Sequence, residues 1–336
     1  MDKEDLSLIP GEKAPIISIA PHGNTQIIMN EAPDHNNSNV EALLAQALAQ
    51  DQIGAYSEML ITAQQAVELQ PDSGLAFACK ARALQKLERI SEATAANDQA
   101  LLLDTNLPLA WINRSGLQLL QQRFPDGLRS AMRAIELAPD DVRAWANKGV
   151  ALFNLNNLFG ALEAINQSLT CDPSFLFAWQ IKGEILYRYG RMHELVQTMR
   201  QVLELAPTDV RSLVLMIQAC RALEEYDELP PLTERLTQLQ PDALYAWESH
   251  MRTLRALGRF ADADEAIEQV LVLAPGDVRI WTIKADNLYR QERYREAAQV
   301  ADYALRLNQQ YPPARRIHEK AIRLMYQRKG KRPNHT

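Results

Sequence analysis

The stretch APDDVRAWANKG, Ala138 to Gly149, is written again as APTDVRSLVLMI from Ala206 to Ile217 and as APGDVRIWTIKA from Ala274 to Ala285. Its prolines, Pro139, Pro207 and Pro275, stand 68 residues apart, and Pro173 and Pro241 fall midway between them. Steps of 34 from Pro71 land on Thr105, Pro139, Pro173, Pro207, Pro241, Pro275 and Gln309 with no insertion or deletion. A fixed period of this length means one supersecondary unit stacked on itself, which replaces the usual expectation of two or three globular domains for 336 residues.

With the landing residue as position 32, the repeats run 40–73, 74–107, 108–141, 142–175, 176–209, 210–243, 244–277 and 278–311. Position 4 then collects every tryptophan of the chain, Trp111, Trp145, Trp179, Trp247 and Trp281, beside Leu43, Phe77 and Leu213. Leucine fills position 11 in five copies: Leu84, Leu152, Leu186, Leu254 and Leu288. Positions 4, 8 and 11 share one helical face, and positions 20, 24 and 27 make a second apolar stripe, so each repeat is predicted to be two amphipathic helices, A and B. Small residues at position 8 (Ala81, Gly149, Gly183) and position 20 (Ala93, Gly127, Ala161) let the two helices approach closely. Asp72, Asp140, Ser174, Asp209 and Asp277 are candidate caps for helix A, since their oxygens accept from free amides at a helix start. The position-32 proline, with no amide to donate, stops helix B.

These columns resemble the tetratricopeptide repeat, W-x2-L-G-x2-Y, then A-x3-F, then P over 34 residues. Trp145, Gly149, Ala161 and Pro173 match the pattern in one copy, and Trp281, Ala285, Ala297 and Ala304 match it in another. Two columns depart: Arg114, Lys148, Lys182 and Lys284 replace leucine at position 7, and leucine mostly replaces tyrosine at position 11. The resemblance covers residues 40–311 and implies an all-α fold, a right-handed superhelical solenoid of about eight helix-turn-helix repeats whose A helices line a concave groove. One repeat cannot bury its own apolar faces, so the array needs a polar end. Residues 312–328 are expected to supply it as a capping helix, with Ala314, Ile317, Ala321 and Leu324 on one stripe among Arg315, Arg316, Lys320 and Arg323.

The chain carries a net charge of −6, divided as −4 over residues 1–39, −9 over 40–311 and +7 over 312–336. It shows no signal-peptide pattern and no apolar run of membrane-spanning length, and a cytoplasmic location is the expectation. Cys79, Cys171 and Cys220 lie too far apart for a disulfide framework or a zinc site and are expected to be small buried side chains. Phosphate-cradling glycine loops, HExxH and nucleophile elbows are missing from the sequence, so no cofactor or metal is called for and no enzymatic activity is expected.

The resemblance places positions 2, 5, 9, 12 and 13 of helix A in the groove. From repeat 4 to repeat 8, position 2 alternates between guanidinium and ring: Arg143, Phe177, Arg211, Tyr245, Arg279. The other groove positions add Arg188, Arg221, Arg252, Arg255 and Arg290, with Tyr187 and Tyr289. Against these eight arginines stand Glu184, Glu248 and Asp286, a balance of +5 in an acidic repeat region. Arginine forms bidentate bonds to carboxylate or phosphate and stacks on rings, which lysine does poorly. Asn113 and Asn147, both at position 6, resemble groove asparagines that hold a peptide main chain, and with Arg82 and Arg143 they form a polar patch. The patch resembles a fragment of the family's carboxylate clamp, but the clamp's first lysine and asparagine are missing, Ala78 and Arg82 standing there, so a true clamp is not expected.

The expected function is therefore a protein-protein interaction scaffold or adaptor, holding an acidic or phosphorylated segment of a protein partner in the groove. Alternatives are nucleic-acid binding, suggested by the basic tail 329–336 and the arginine-aromatic row, and a substrate-presenting arm of an enzyme complex. Two features stand apart. Repeat 6 has Ile217, Leu229 and Leu236 at positions 8, 20 and 27 and carries Pro230-Pro231, which predicts a shortened helix B and a hinge or change of pitch at 226–232. Residues 1–39 read as a flexible leader whose two apolar runs, Ile16–Ala20 and Ile27–Met29, could dock on the array.

Overall fold

The computed structural model describes residues 17–19, 25–27 and 35–330. They fall in two compact units, Met1–Pro139 and Asp140–Thr336. In the first, β1 (Ile17–Ile19) pairs antiparallel with β2 (Thr25–Ile27), Ile17 opposite Ile27. Three helix pairs follow: α1 (His35–Gln52) with α2 (Tyr56–Leu69), α3 (Gly74–Lys86) with α4 (Ile90–Leu103), and α5 (Pro108–Leu120) with α6 (Phe124–Leu137). The second unit begins with α7 (Val142–Asn154), α8 (Leu158–Cys171), α9 (Leu176–Tyr189), α10 (Met192–Leu205) and α11 (Val210–Ala222). It continues with α12 (Leu229–Leu239), α13 (Leu244–Ala256), α14 (Phe260–Leu273), α15 (Val278–Arg290) and α16 (Tyr294–Leu307), and ends in α17 (Pro312–Gly330). Each unit is a run of helical repeats in the 34-residue phase, and α17 buries Ala314 and Ala321. The stretch read as a leader differs from that reading, since it contains the two strands and the first turns of α1. The reason at its far end is packing: Val40, 2% exposed, with Leu43 and Leu44 behind it, carries the helix backward through a run of weak helix formers. Whether the leader docks elsewhere involves residues outside those described.

The turn from A to B is the same in all eight repeats. Position 15 adopts a left-handed backbone every time, at Gly54, Gly190 and Gly258 but also at Glu88, Gln122, Asn156, Glu224 and Glu292, with φ between 59° and 77°. The next amide donates to the carbonyl at position 11, as Arg89 does to Leu84 at 2.9 Å and Arg293 to Leu288 at 2.9 Å. That long reverse bond closes the end of helix A over an orphan carbonyl.

The turn from B to the next A is fixed by the tryptophan column. The indole N–H donates to the carbonyl six residues earlier, Trp111 to Thr105 and Trp179 to Pro173 at 2.8 Å, Trp247 to Pro241 at 2.7 Å. Above four of the five rings lies the position-7 cation where the family pattern has leucine: Arg114 over Trp111 at 5.6 Å, Lys148 over Trp145 at 4.8 Å, Lys182 over Trp179 at 5.0 Å, Lys284 over Trp281 at 5.1 Å. Helix A is capped one residue later than several of the expected caps, by Ser73 rather than Asp72 and by Asp141 rather than Asp140, while Asp209 and Asp277 cap as expected. Ser174 does not cap; it bonds to Asp172, and Phe175 occupies the cap position. The close approach of A and B is visible at Gly149, where a Cβ would fall 2.6 Å from the Ile165 side chain.

Repeat 6 departs as its prolines require. A single 3-10 turn, Tyr226–Glu228, precedes α12, which has 11 residues where the neighbouring B helices have 14 and takes Pro230 and Pro231 into its first turn. Ile217, Leu229 and Leu236 fill the resulting core and are at most 3% exposed. Cys79 and Cys220 are buried, but Cys171 is exposed, because it sits in the last turn of α8 past the apolar stripe.

A left-handed residue with a Cβ costs about 1–2 kcal/mol, part of which glycine recovers and part of which it loses to unfolded-state entropy. Glu224→Gly and Glu292→Gly are expected to stabilise the chain by about 0.5–1 kcal/mol each, and Gly258→Ala to destabilise it by about 1 kcal/mol, in urea unfolding.

Candidate peptide-binding groove

The helix A faces of the second unit bring most of the sequence-predicted residues onto α7, α9, α11, α13 and α15. Phe177, Tyr187 and Tyr245 are exposed rings. Most of the arginines are paired, Arg211, Arg252 and Arg255 with acids already in the groove count and Arg143 and Arg279 with cap aspartates that the count omitted. In the DVR phrase the aspartate accepts the Arg143 amide at 2.8 Å, and the Arg143 guanidinium reaches back to the same carboxylate at 3.0 Å. Arg279 and Asp277 repeat this at 2.8 and 2.6 Å, and the Arg279 guanidinium holds the Asp277 carboxyl below its usual range. Arg211 breaks the pattern because Asp209 is engaged by Ser212; its side chain, 77% exposed, pairs with Glu184 of the preceding repeat. Arg252 pairs with Glu248 at 2.8 Å and Arg255 with Asp286 at 2.6 Å. The +5 expected of the groove already counted Glu184, Glu248 and Asp286; the cap aspartates Asp141 and Asp277, which pair with Arg143 and Arg279, lower it to +3.

Successive A helices meet through position 12 of one repeat and position 9 of the next. Asp51 and Arg82 pair there at 3.0 Å, Arg255 and Asp286 at 2.6 Å, and a Cβ at Gly116 would fall 2.6 Å from Gln85 Nε2. Between α11 and α13 the same two positions are Arg221 and Arg252, which repel. A cavity of about 200 Å3 opens there, with Ile217 and Leu236 among its apolar walls and Tyr245, Glu248 and Ser249 opposite. Arg221 Nη2 donates to the Ser249 carbonyl at 3.0 Å, to Ser249 Oγ at 2.7 Å and to Thr253 Oγ1 at 3.3 Å. Burial, and then the Arg252 charge, push the Arg221 pKa down.

The asparagine patch needs correcting. Arg82 and Asn113 belong to the first unit, Arg143 and Asn147 to the second. Asn113 is 1% exposed and its Nδ2 donates to the Ala78 carbonyl at 2.9 Å, so it staples α5 to α3 and cannot hold a peptide. Arg82, with 16% of its side chain exposed, is committed to Asp51. Asn147 is half-buried, as is Tyr289, whose ring rests on Tyr294 at 5.4 Å. The sequence reading missed Val214, Gln218 and Ser249 at the cavity. The signal was present as two arginines at a step where two other repeat pairs place opposite charges, next to oversized residues at positions 8 and 27.

Away from the groove, Cys220, Glu225 and Glu228 bring ligand-type atoms within 4.8 Å of one another. Burial, then Glu228 and Glu225, push the Cys220 thiol up to about 11, and Glu228 is held by Arg200 at 2.8 Å, so the thiol is protonated at neutral pH.

The sequence profile of the tetratricopeptide repeat matches residues 117–174 and 250–312. Together with the eight-fold 34-residue phase and the helix pairs in register with it, this defines the class: the chain belongs to the tetratricopeptide-repeat family. Among solved structures it is similar to Pseudomonas aeruginosa PilF, at 21% identity and a TM-score of 0.55, over 64% of this chain and 98% of that one, a likeness of fold. YrrB, a repeat protein described as having an unusual peptide-binding site, aligns at 16% identity and a TM-score of 0.45, over 56% of this chain and 96% of that one. MamA from Desulfovibrio magneticus aligns at 19% identity and 0.40, over 51% and 97%. No curated protein sequence matches the chain. No helix of the described residues is long and apolar enough to cross a membrane.

Close to the cavity, His250 Nδ1 lies 2.9 Å from Thr233 Oγ1, whose hydroxyl also reaches the Leu229 carbonyl at 3.0 Å, so the ring ties α13 to the short α12. Burial, the largest influence, pushes His250 below its ordinary 6.5; Arg259 adds to this, and Glu234 and Glu265 oppose it. The folded state therefore favours the neutral ring, and the stability this contributes is complete above pH 6.5 and lost as pH falls through the lowered folded value. Urea midpoints measured from pH 7.5 down to 5 should fall more steeply for the wild type than for His250→Gln.

Proposed function

We propose that the chain is a non-catalytic scaffold that holds an extended, acidic or phosphorylated segment of a partner protein along the helix A face of residues 140–336. The observation that carries this reading is the row of exposed rings, Phe177 and Tyr245, set between guanidinium groups at the same position of alternate repeats. Members of this family act in general as interaction scaffolds, and the row supplies what an extended peptide needs, apolar anchors spaced between charged donors. Because Arg143, Arg211, Arg252 and Arg279 are already paired, an incoming carboxylate exchanges one ion pair for another. The net gain from each such exchange is small, on the scale of exposed ion pairs, about 0–1 kcal/mol. The rings therefore carry most of the affinity and the arginines set register and sign.

The test is a photo-crosslinking amino acid at position 177, with and without nuclease treatment, followed by synthesis of the captured segment as a peptide. Phe177→Ala and Tyr245→Ala are each expected to weaken its binding by about 1–2 kcal/mol, the usual scale for a buried aromatic anchor, and Arg211→Ala by less. Crosslinks that vanish with nuclease would favour the nucleic-acid alternative, and ring variants that bind like the wild type would remove the groove from the account.

A further inference from the structure

We propose that the cavity between α11 and α13 is an oxyanion subsite of this groove, shaped to take one anionic side chain of the partner, its carboxylate or phosphate on Arg221 and its stem against Ile217 and Leu236. The inference rests on the groove reading and adds to it a place where a single ligand side chain is selected.

Size and depth come first. At about 200 Å3 the cavity is too large for one or two waters, each of which occupies about 30 Å3 in the liquid, and suits one large side chain. Ile217 and Leu236, 3% and 1% exposed, form its floor, while the Arg252 side chain, 62% exposed, and Tyr245, 48% exposed, stand at its mouth. A ligand entering there meets apolar surface below and charge above.

The charge is uncompensated where it matters. Arg211, Arg252 and Arg255 each have a carboxylate within 4 Å; among the described residues Arg221 has none. All three of its hydrogen bonds leave from Nη2, to a carbonyl and two hydroxyls, so the N–H groups of Nη1 and Nε remain for a ligand. A half-buried cation facing a second cation is costly unless an anion joins it, and a planar guanidinium binds carboxylate or phosphate with directed, charge-assisted bonds. The cavity also has a cause: at a step that two other repeat pairs close with opposite charges, Arg221 and Arg252 do not close, and with Glu248 on Arg252 the unmatched charge left in the space is that of Arg221.

Glu248 sets the competition. It holds Arg252 at 2.8 Å inside the same cavity, so its carboxylate opposes an incoming anion and keeps Arg252 from joining Arg221 on it. Removing that charge should strengthen the site, an effect a purely structural ion pair would not produce.

The experiment uses the full chain with nitrogen-labelled arginine side chains, observed by NMR while phenylphosphate, phenylacetate or neutral benzyl alcohol is added. Both anions are expected to shift the Arg221 signal saturably and benzyl alcohol not at all, and the tighter of the two identifies phosphate or carboxylate as the head group. Glu248→Gln should tighten anion binding about 5-fold, on the scale of one nearby charge at a partly exposed site. Arg221→Gln with an unchanged melting transition should abolish saturation; if that variant does not fold, the Glu248→Gln comparison decides alone. Shifts of Arg129 and Arg306 at the same concentrations, or tightening absent from Glu248→Gln, would overturn the subsite. Loss of small-anion binding with peptide affinity intact would remove the subsite and leave the groove, and anion binding with no affinity for any captured segment would do the reverse.

Discussion

Where position 4 is tryptophan, its indole N–H donates to the carbonyl six residues before it, as in Trp111, Trp179, Trp247 and Trp281, and this bond holds the end of one helix B against the start of the next helix A. A helix pair of this length cannot bury both apolar stripes by itself, so the chain is stable only as far as each pair is set at a fixed angle and distance on its neighbour. In the repeats that carry it the tryptophan fixes the distance, in four of them a cation over its ring covers one face, and in all eight the left-handed residue at position 15 fixes the return. Where those three hold, differences between repeats fall on the helix A surface; repeat 6, with Leu213 at position 4 and the short α12, also differs in its core. Groove chemistry can then change one repeat at a time without disturbing the stack.

The period, the helix pairs and the odd character of repeat 6 were all legible in the sequence, because each is written within a single repeat. The proline landings, the tryptophan column and Pro230-Pro231 need no partner to be read. What was not legible depends on which side chains meet across repeats. Asn113 looked like a free groove amide and is a staple to Ala78, 35 residues away in sequence. The arginine row looked like net positive charge, but Arg211 finds Glu184 across 27 residues and Arg143 finds the cap aspartate beside it. Counting charges along helix A missed the caps, which lie one residue outside it. Position 15 was also invisible, since five of its eight residues, among them Glu88 and Glu292, give no hint of a left-handed turn.

These pairings change what kind of binding surface the groove can be. A free arginine row would attract any polyanion, whereas a row whose guanidinium groups are held by Asp141, Glu184, Glu248 and Asp277 presents oriented donors with little net field. Such a surface discriminates by fit, through rings and directed hydrogen bonds, more than by long-range attraction. The exception is the step from α11 to α13, where the short α12 and the Arg221–Arg252 juxtaposition leave both space and charge unfilled. One irregular repeat thereby gives a repetitive surface a distinguishable address.

The central claim is that the contact between position 12 of one repeat and position 9 of the next sets the width and sign of the groove at each step. The most direct test is the crystal structure of Arg252→Asp, which puts opposite charges at the one step where two cations meet. The account predicts that Arg221 turns from Ser249 and Thr253 onto the new carboxylate and that the cavity between α11 and α13 closes. A cavity of unchanged volume, with Arg221 still bonded to Ser249 and Thr253, would contradict it.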